Sequence, residues 1–130
     1  MSLEELRKSF IVDEDALRAQ LEPLVTTASQ HCLVGSNGEV HIKSSRLAGA
    51  KKVMLVLAAR AIASRLEPEI AAEVGVAEIS KYTGIPDNQI RARGKDLIKA
   101  RLAESPSRGV YRAIFQKVDR FLSELEVNGS

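Results

Sequence analysis

The chain has 130 residues, which suits one domain of ordinary size, and Cys32 is its only cysteine, so an intrachain disulfide is excluded. Apolar residues make up 45% of the sequence but aromatic residues only 4%, so the core has to be built mainly from Ala, Leu, Ile and Val, a composition that favours helices. The formal net charge of +2 is nearly neutral and by itself indicates no class of partner.

The first predicted element is a helix over residues 14–30. Leucine, alanine and valine recur there at helical spacing, and Asp13 stands where a side-chain cap is preferred. Pro23 lies inside the pattern, which leaves a kink or an earlier helix end as alternatives.

The next stretch, CLVGSNGEVHIK, predicts a β-hairpin. Asn37 and Gly38 form the pair that a two-residue type I′ turn prefers, because both central positions need a positive φ. With that turn Leu33 faces Ile42, and the apolar residues lie on one side of the hairpin. The other side would carry Cys32, Val34, His41 and Lys43.

A longer helix is predicted over residues 49–66, with Ser44 or Ser45 available as its cap. It is apolar almost all round, as expected of a helix at the centre of a bundle. The stretch 68–75 that follows is punctuated by a proline and a glycine. It predicts either a brief helix or a structured connection.

The segment VAEISKYTGIPDNQIRARGKDLIKA predicts two helices joined by a tight turn at Gly84. An apolar and a small residue, Ile79 and Ser80, precede this glycine at positions where two helices cross, and glycine can take a positive φ. Pro86 suits the first turn of the second helix. This arrangement is typical of a helix-turn-helix unit.

The second helix of the unit, predicted over 86–100, has an apolar and a polar side when projected at 100° per residue. The apolar side holds Ile90, Gly94, Leu97 and Ile98. The polar side and its flanks hold Asn88, Gln89, Arg91, Ala92, Arg93, Lys95 and Lys99. Asn and Gln pair with adenine edges, Arg and Lys with guanine edges or phosphates, and Ala leaves room for a thymine methyl.

Charge is divided unevenly along the chain. Residues 86–120 hold nine basic and four acidic residues, a net +5, whereas residues 1–22 hold three basic and six acidic residues, a net −3.

Two other interpretations of the polar side of the second helix stay open. It is an ordinary solvated helix face, or Arg91 and Arg93 pair with the acids of the same helix.

After the second helix, the sequence predicts a strand, a turn and a strand over 101–113, with the turn at 105–109. A small hairpin in this position is a wing. Its tip residues Ser107 and Arg108 are placed to contact a phosphate or the minor groove. A closing amphipathic helix is predicted over 114–125.

The order of AKKVMLVLAARAIASRL, VAEISKYTG, IPDNQIRARGKDLIKA and LAESPSRGVYRA resembles the winged helix-turn-helix domains of small archaeal and bacterial DNA-binding regulators. The resemblance covers about 49–125. It implies a fold that is mostly α with small β-hairpins, a third helix in the major groove of duplex DNA, and frequent dimers. The implied recognition positions are Asn88, Gln89, Arg91, Ala92, Arg93 and Lys95, and the implied wing positions are Ser107 and Arg108.

Gly94 departs from the family pattern, because such domains commonly carry a bulky apolar residue there. Glycine costs up to about 1 kcal/mol of helix propensity relative to alanine. The departure predicts a very close helix crossing at Gly94, or else a bent or shortened helix.

Two parts of the chain are distinguished within a single unit. Following the resemblance, residues 49–126 are predicted to form the winged helix-turn-helix domain, and residues 1–48 an N-terminal helix and hairpin extension packed on its core. This extension is expected either to help form a homodimer or to enlarge a small core.

No cofactor, metal or small-molecule ligand is expected. His31, Cys32 and His41 have no second cysteine and no familiar ligand spacing, and no catalytic constellation or glycine-rich loop is recognisable. The N-terminus lacks a signal-peptide pattern, and the most apolar stretch, 53–63, is short and contains Arg60. A cytoplasmic protein without a membrane partner is therefore expected.

The sequence thus predicts a non-enzymatic protein that binds double-stranded DNA and regulates transcription. Phosphate contacts are assigned to Arg93, Lys99 and Arg108, and choice of sequence to Asn88, Gln89 and Arg91. The alternative is a winged-helix module that binds another protein with the same helix face. RNA binding is disfavoured, because exposed aromatic residues are lacking.

Overall fold

Residues 1–11, 14–44 and 46–127 are described in the computed structural model, and within them the chain forms six α-helices and two small antiparallel sheets. The helices are α1 (Leu3–Phe10), α2 (Glu14–Ala28), α3 (Gly49–Leu66), α4 (Val76–Thr83), α5 (Asp87–Lys99) and α6 (Val118–Val127). The strands are β1 (Cys32–Val34), β2 (Val40–Ile42), β3 (Val74–Gly75), β4 (Ala103–Ser107) and β5 (Val110–Ala113), and a 3₁₀ turn at Phe115–Lys117 precedes α6. In these ranges no helix has the length and apolar character needed to cross a bilayer.

The core is organised around α3. Every residue of 53–63 is buried, which confirms the prediction of a central helix that is apolar almost all round. Helices α2, α4 and α5, the β1–β2 hairpin and β5 all contact α3. Leu24 and Val40 from the first 48 residues belong to the same buried cluster as the residues of α3, α5 and α6. From α2 onward, the described chain therefore shares one core.

One charged side chain, Arg60, is buried inside α3. Its guanidinium donates to the backbone oxygens of Gly38, Ala71 and Glu73 and to the Glu78 carboxylate, 3.0 Å away. A buried charge is tolerated when it is paired and fully hydrogen-bonded. Arg60 thereby ties the β1–β2 hairpin, the connection before β3 and helix α4 to the central helix.

The β1–β2 hairpin differs from the prediction by one residue of register. Leu33 pairs with His41, not with Ile42. The loop has three residues rather than two, since the Gly38 N–H donates to the Gly35 carbonyl, and within it only Gly38, at +86°, has a positive φ. This is a type I turn followed by a glycine bulge.

A shift of one residue moves every side chain to the opposite face of a hairpin. Leu33 and His41 are therefore exposed, and the predicted grouping of Cys32 with His41 on one face is wrong. The side that faces the core carries Cys32, Val34, Val40 and Ile42.

The N-terminal helices depart from the prediction in two respects. Helix α2 runs through Pro23 and ends at Ala28, two residues earlier than predicted, and its predicted cap, Asp13, lies outside the described residues. Helix α1 was not predicted. Its signal is a capping box, in which the Ser2 side chain accepts from the Glu5 N–H and the Glu5 carboxylate accepts from the Ser2 N–H.

The predicted serine cap of α3 is not made by Ser44. The cap residue is Ala48, and no side chain caps this helix end. The Ser44 hydroxyl instead lies 3.1 Å from Nδ1 of the buried His31. Ser45, the other predicted cap, lies outside the described residues.

Candidate nucleic-acid interface

The chain reverses between α4 and α5 at Gly84. This glycine ends α4 with a φ of +75°, and its N–H donates to the Ser80 carbonyl, which confirms the predicted left-handed turn. The Ser80 hydroxyl donates to the Ile85 carbonyl at 2.7 Å, and the Thr83 hydroxyl accepts from the Ile85 N–H. Pro86 is the cap residue of α5 rather than a member of its first turn. Local side chains thus fix the direction in which α5 leaves the turn.

Helix α5 turns an apolar side to the core and a polar side to solvent. Ile90, Gly94 and Leu97 are buried, as predicted, whereas Ile98 is 38% exposed. The exposed residues include Asn88, Gln89, Arg91, Arg93, Lys95 and Lys99, and Ala92 is half-buried. The amide and basic groups of α5 are therefore exposed to solvent.

Gly94 of α5 lies against the ring of a β5 residue. A methyl group on Gly94 would lie 2.7 Å from two ring carbons of Tyr111, which is only 7% exposed. The group nearest to Gly94 is therefore an aromatic ring of a strand. Helix α5 continues to Lys99, so the alternative of a shortened helix is wrong.

The hairpin after α5 belongs to a three-stranded sheet in the order β3-β5-β4. The predicted turn at 105–109 is too long, because β4 continues to Ser107. As an edge strand, β4 tolerates Pro106, which lies at an irregularity in its pairing with β5. The tip is reduced to Arg108 and Gly109, with a φ of +73° at the glycine. Ser107 and Arg108 are both exposed there.

The two arginines on the flanks of α5 point to different neighbours. A methyl group on Gly109 would lie 3.6 Å from the Arg91 guanidinium, so Arg91 lies beside the hairpin tip. The stem of Arg93 lies beside Gly49 at the start of α3, and its guanidinium pairs with Asp96 at 3.3 Å. Pairing along the helix is thus confirmed for Arg93 alone.

Four cations on this surface have no carboxylate partner among the described residues: Arg91, Lys95, Lys99 and Arg108. Arg112, in contrast, donates to Glu104 at 2.6 Å and to Glu73 at 3.2 Å. These two hydrogen bonds raise the pKa of Arg112. A hydrogen bond from its own backbone N–H and one from Arg112 lower the pKa of Glu73. Arg112 therefore links β5 to β4 and to the residue that precedes β3.

Helix α5 ends in a Schellman motif. The Arg101 N–H donates to the Ile98 carbonyl and the Leu102 N–H to the Leu97 carbonyl. Arg101 has a φ of +61° and is the only non-glycine with a positive φ in the described ranges. Glycine usually fills this position, and a side chain there costs about 1 kcal/mol. Arg101 is exposed but was not among the site residues predicted from the sequence. The lack of a glycine just after α5 was a signal that another residue takes the left-handed conformation there.

No three His, Cys, Asp or Glu side chains in the described part of the chain are grouped so that they could hold a metal ion. Burial raises the pKa of the Cys32 thiol to about 11. The thiol is therefore protonated at neutral pH and a poor nucleophile.

Comparison with known proteins found no match to this chain among protein-family models, curated proteins or solved structures.

Proposed function

We propose that this protein binds double-stranded DNA, with α5 in the major groove and the β4–β5 hairpin as a wing against the DNA backbone. The proposal treats the elements from α3 to α6 as a winged helix-turn-helix domain, in keeping with the order helix, strand, helix, helix, strand, strand, helix. The observation that supports the proposal most strongly is the position of Arg91 beside Gly109. Because of this position, the first half of α5 and the hairpin tip with its cation form one continuous surface.

The first half of α5 supplies the candidates for base recognition. Recognition helices contact bases mainly with their N-terminal residues. Asn88 and Gln89 are exposed in the first turn of α5, and their amides match the donor and acceptor of an adenine edge. Ala92 lies one turn further, where a small side chain permits close approach to a base.

The cations around these residues supply affinity without sequence choice. We assign phosphate contacts to Lys99 and Arg108, which have no carboxylate partner in the described chain. Arg91 joins them, because it lies at the hairpin tip rather than at the centre of the polar side. Arg93 has to exchange its pair with Asp96 for a phosphate, and such exposed pairs are worth little. Lys95 and the Ser107 hydroxyl complete the surface.

The biological role we propose is transcriptional regulation without an enzymatic step. A domain that occupies a DNA site excludes or recruits other proteins there. The cytoplasmic location expected from the sequence is compatible with this role.

A second candidate function is docking of another protein on α5. It is favoured by Ile98, a large apolar side chain that is 38% exposed on this helix. Duplex binding that is absent even at low salt would favour docking, because protein docking needs no polyanion.

Selection of bound duplexes from a random pool tests the proposal. We expect an enriched motif, since Asn88 and Gln89 distinguish bases. Asn88→Ala should relax the motif at one position, whereas Lys99→Ala should weaken binding to all sequences alike. Arg120→Ala is the matched control, because Arg120 pairs with Glu124 on α6. A pool that shows no enrichment would contradict sequence-specific binding.

A further inference from the structure

Most of the large apolar side chains that remain exposed form two groups. The first group lies on residues 1–11, here called the arm, and consists of Met1, Leu3, Leu6, Phe10 and Ile11. The second group, Val25, Leu33 and Leu66, lines an open groove. Single exposed apolar residues are ordinary, whereas contiguous apolar patches mark interaction sites.

The arm carries a capped helix whose apolar side is open to solvent. No residue of α1 is buried, and Phe10 is 91% exposed. Leu3, Leu6 and Phe10 are spaced three and four positions apart, so they share one side of α1. An isolated helix of this length is marginal in water. Burial of its apolar side against another surface would stabilise it.

The groove lies between the end of α2, strand β1 and the second half of α3. Its volume is about 240 Å³, and its lining includes Ile62 and Ile70 as well as the three exposed residues. Leu33 projects outward because of the register of the three-residue loop. The groove therefore offers an apolar surface to an amphipathic helix.

The arm of the same chain does not fill this groove. None of residues 1–11 lines it, and no residue of α1 is buried. The groove is therefore open to the arm of a second copy of the chain.

We propose that two copies of this chain exchange arms, so that α1 of each copy lies in the groove of the other. The charges at the groove are complementary to those of the arm. The Lys43 ammonium donates to the Ser29 carbonyl at one side of the groove, and Glu67 lines another part of it. Helix α1 has two acids in its first turn and two bases in its last turn. Its acidic end pairs with Lys43 and its basic end with Glu67.

The exchange also buries enough surface for a stable dimer. An aromatic side chain such as Phe10 buries about 150–250 Å². The four other apolar residues of the arm are 46–85% exposed and add less each, so two arms and the groove surfaces that they cover together reach on the order of 1,500 Å². A single arm–groove contact reaches about half of that, the size of a weak interface.

The inference does not depend on DNA binding. Groove residue Ala59 is ten residues, or about 15 Å, along α3 from Gly49, where Arg93 of α5 lies. Both surfaces can therefore be occupied at once.

Sedimentation equilibrium of the full chain tests the exchange. We expect wild type to dimerise, and Phe10→Asp and Leu33→Asp each to raise the dimer dissociation constant about a hundredfold or more, because each change removes an apolar contact twice. Both residues are exposed, so circular dichroism should show an unchanged fold. Ala19→Asp is the matched control, since Ala19 is exposed on α2 outside the groove, and it should dimerise like wild type.

Mixing the two variants gives the decisive result. The Leu33→Asp copy retains an intact arm, and the Phe10→Asp copy retains an intact groove, so a mixture should form a heterodimer through one intact arm–groove contact, weaker than the wild-type dimer but tighter than the dimer of either variant alone. Wild type that stays monomeric up to high micromolar concentration would overturn the exchange. Dimerisation of either variant alone at wild-type affinity, or no heterodimer in the mixture, would do the same.

Discussion

Replacement of Gly94 by alanine perturbs the contact between α5 and the sheet. The added methyl group gains up to about 1 kcal/mol of helix propensity. It would also lie 2.7 Å from two carbons of the Tyr111 ring, which is nearly fully buried and has little room to move. Overpacking of this kind costs about 1–3 kcal/mol. Because two ring atoms are involved, we take the upper part of that range and expect a net loss of about 1–2 kcal/mol.

Urea unfolding followed by circular dichroism measures this loss. In the double variant Gly94→Ala/Tyr111→Leu the ring is gone, so the alanine should become neutral or stabilising and the two changes should couple by about 2 kcal/mol. Gly84→Ala is the control, because no atom lies within 4 Å of the added methyl group and its cost of about 1 kcal/mol comes from the positive φ alone. Its effect should be independent of Tyr111.

Two results would refute this reasoning. One is a Gly94→Ala protein as stable as wild type. The other is a double variant whose stability is the sum of the single effects within about 0.5 kcal/mol. If the reasoning holds, Gly94→Ala should also weaken DNA binding while folded, because Tyr111 lies in the strand that leads from the hairpin tip.

Two further changes probe the end of α5 and the sheet. Arg101→Gly relieves a left-handed arginine and should raise the free energy of unfolding by about 1 kcal/mol; a less stable variant would contradict the assigned cost. Folding lowers the pKa of the Glu73 carboxyl, so the ionised carboxylate stabilises the folded protein at pH values above its unfolded pKa of 4.5. This stabilisation is lost as the pH falls through the lower pKa of the folded state. Thermal melts of Glu73→Gln should therefore change less than those of wild type as the pH is lowered from 5 to 3, and an equal change in both proteins would argue against the depressed pKa.

Local signals in the sequence predicted the turn and, except at Ile98, the two faces of α5 correctly. A glycine between two apolar patterns has a direct conformational reason, the positive φ at Gly84. The burial of Ile90 and Leu97 follows from helical spacing in the same direct way.

Features that the local sequence pattern does not determine by itself were not predicted. The pairing of Leu33 with His41 follows from a three-residue loop, which the Asn-Gly pair also permits. Strand β4 can include Pro106 because it lies at the edge of a sheet. The hydrogen bonds of Arg60 come from three separate segments. The contact of Gly94 with Tyr111 was expected as a close approach, but its partner lies in a strand that periodicity within α5 does not reveal.

Binding of duplex phosphates by α5 and the hairpin tip is tested most directly by fluorescence anisotropy of a labelled duplex over a range of salt concentrations. Each phosphate contact contributes about −0.9 to the slope of log K against log salt, so the four unpaired cations, together with Arg93 once it exchanges Asp96 for a phosphate, predict a slope of about −4.5. Arg91→Ala and Arg108→Ala should each reduce its magnitude by about 1, whereas Arg120→Ala should leave it unchanged. No binding at low salt, or a slope that neither variant alters, would contradict the proposed interface.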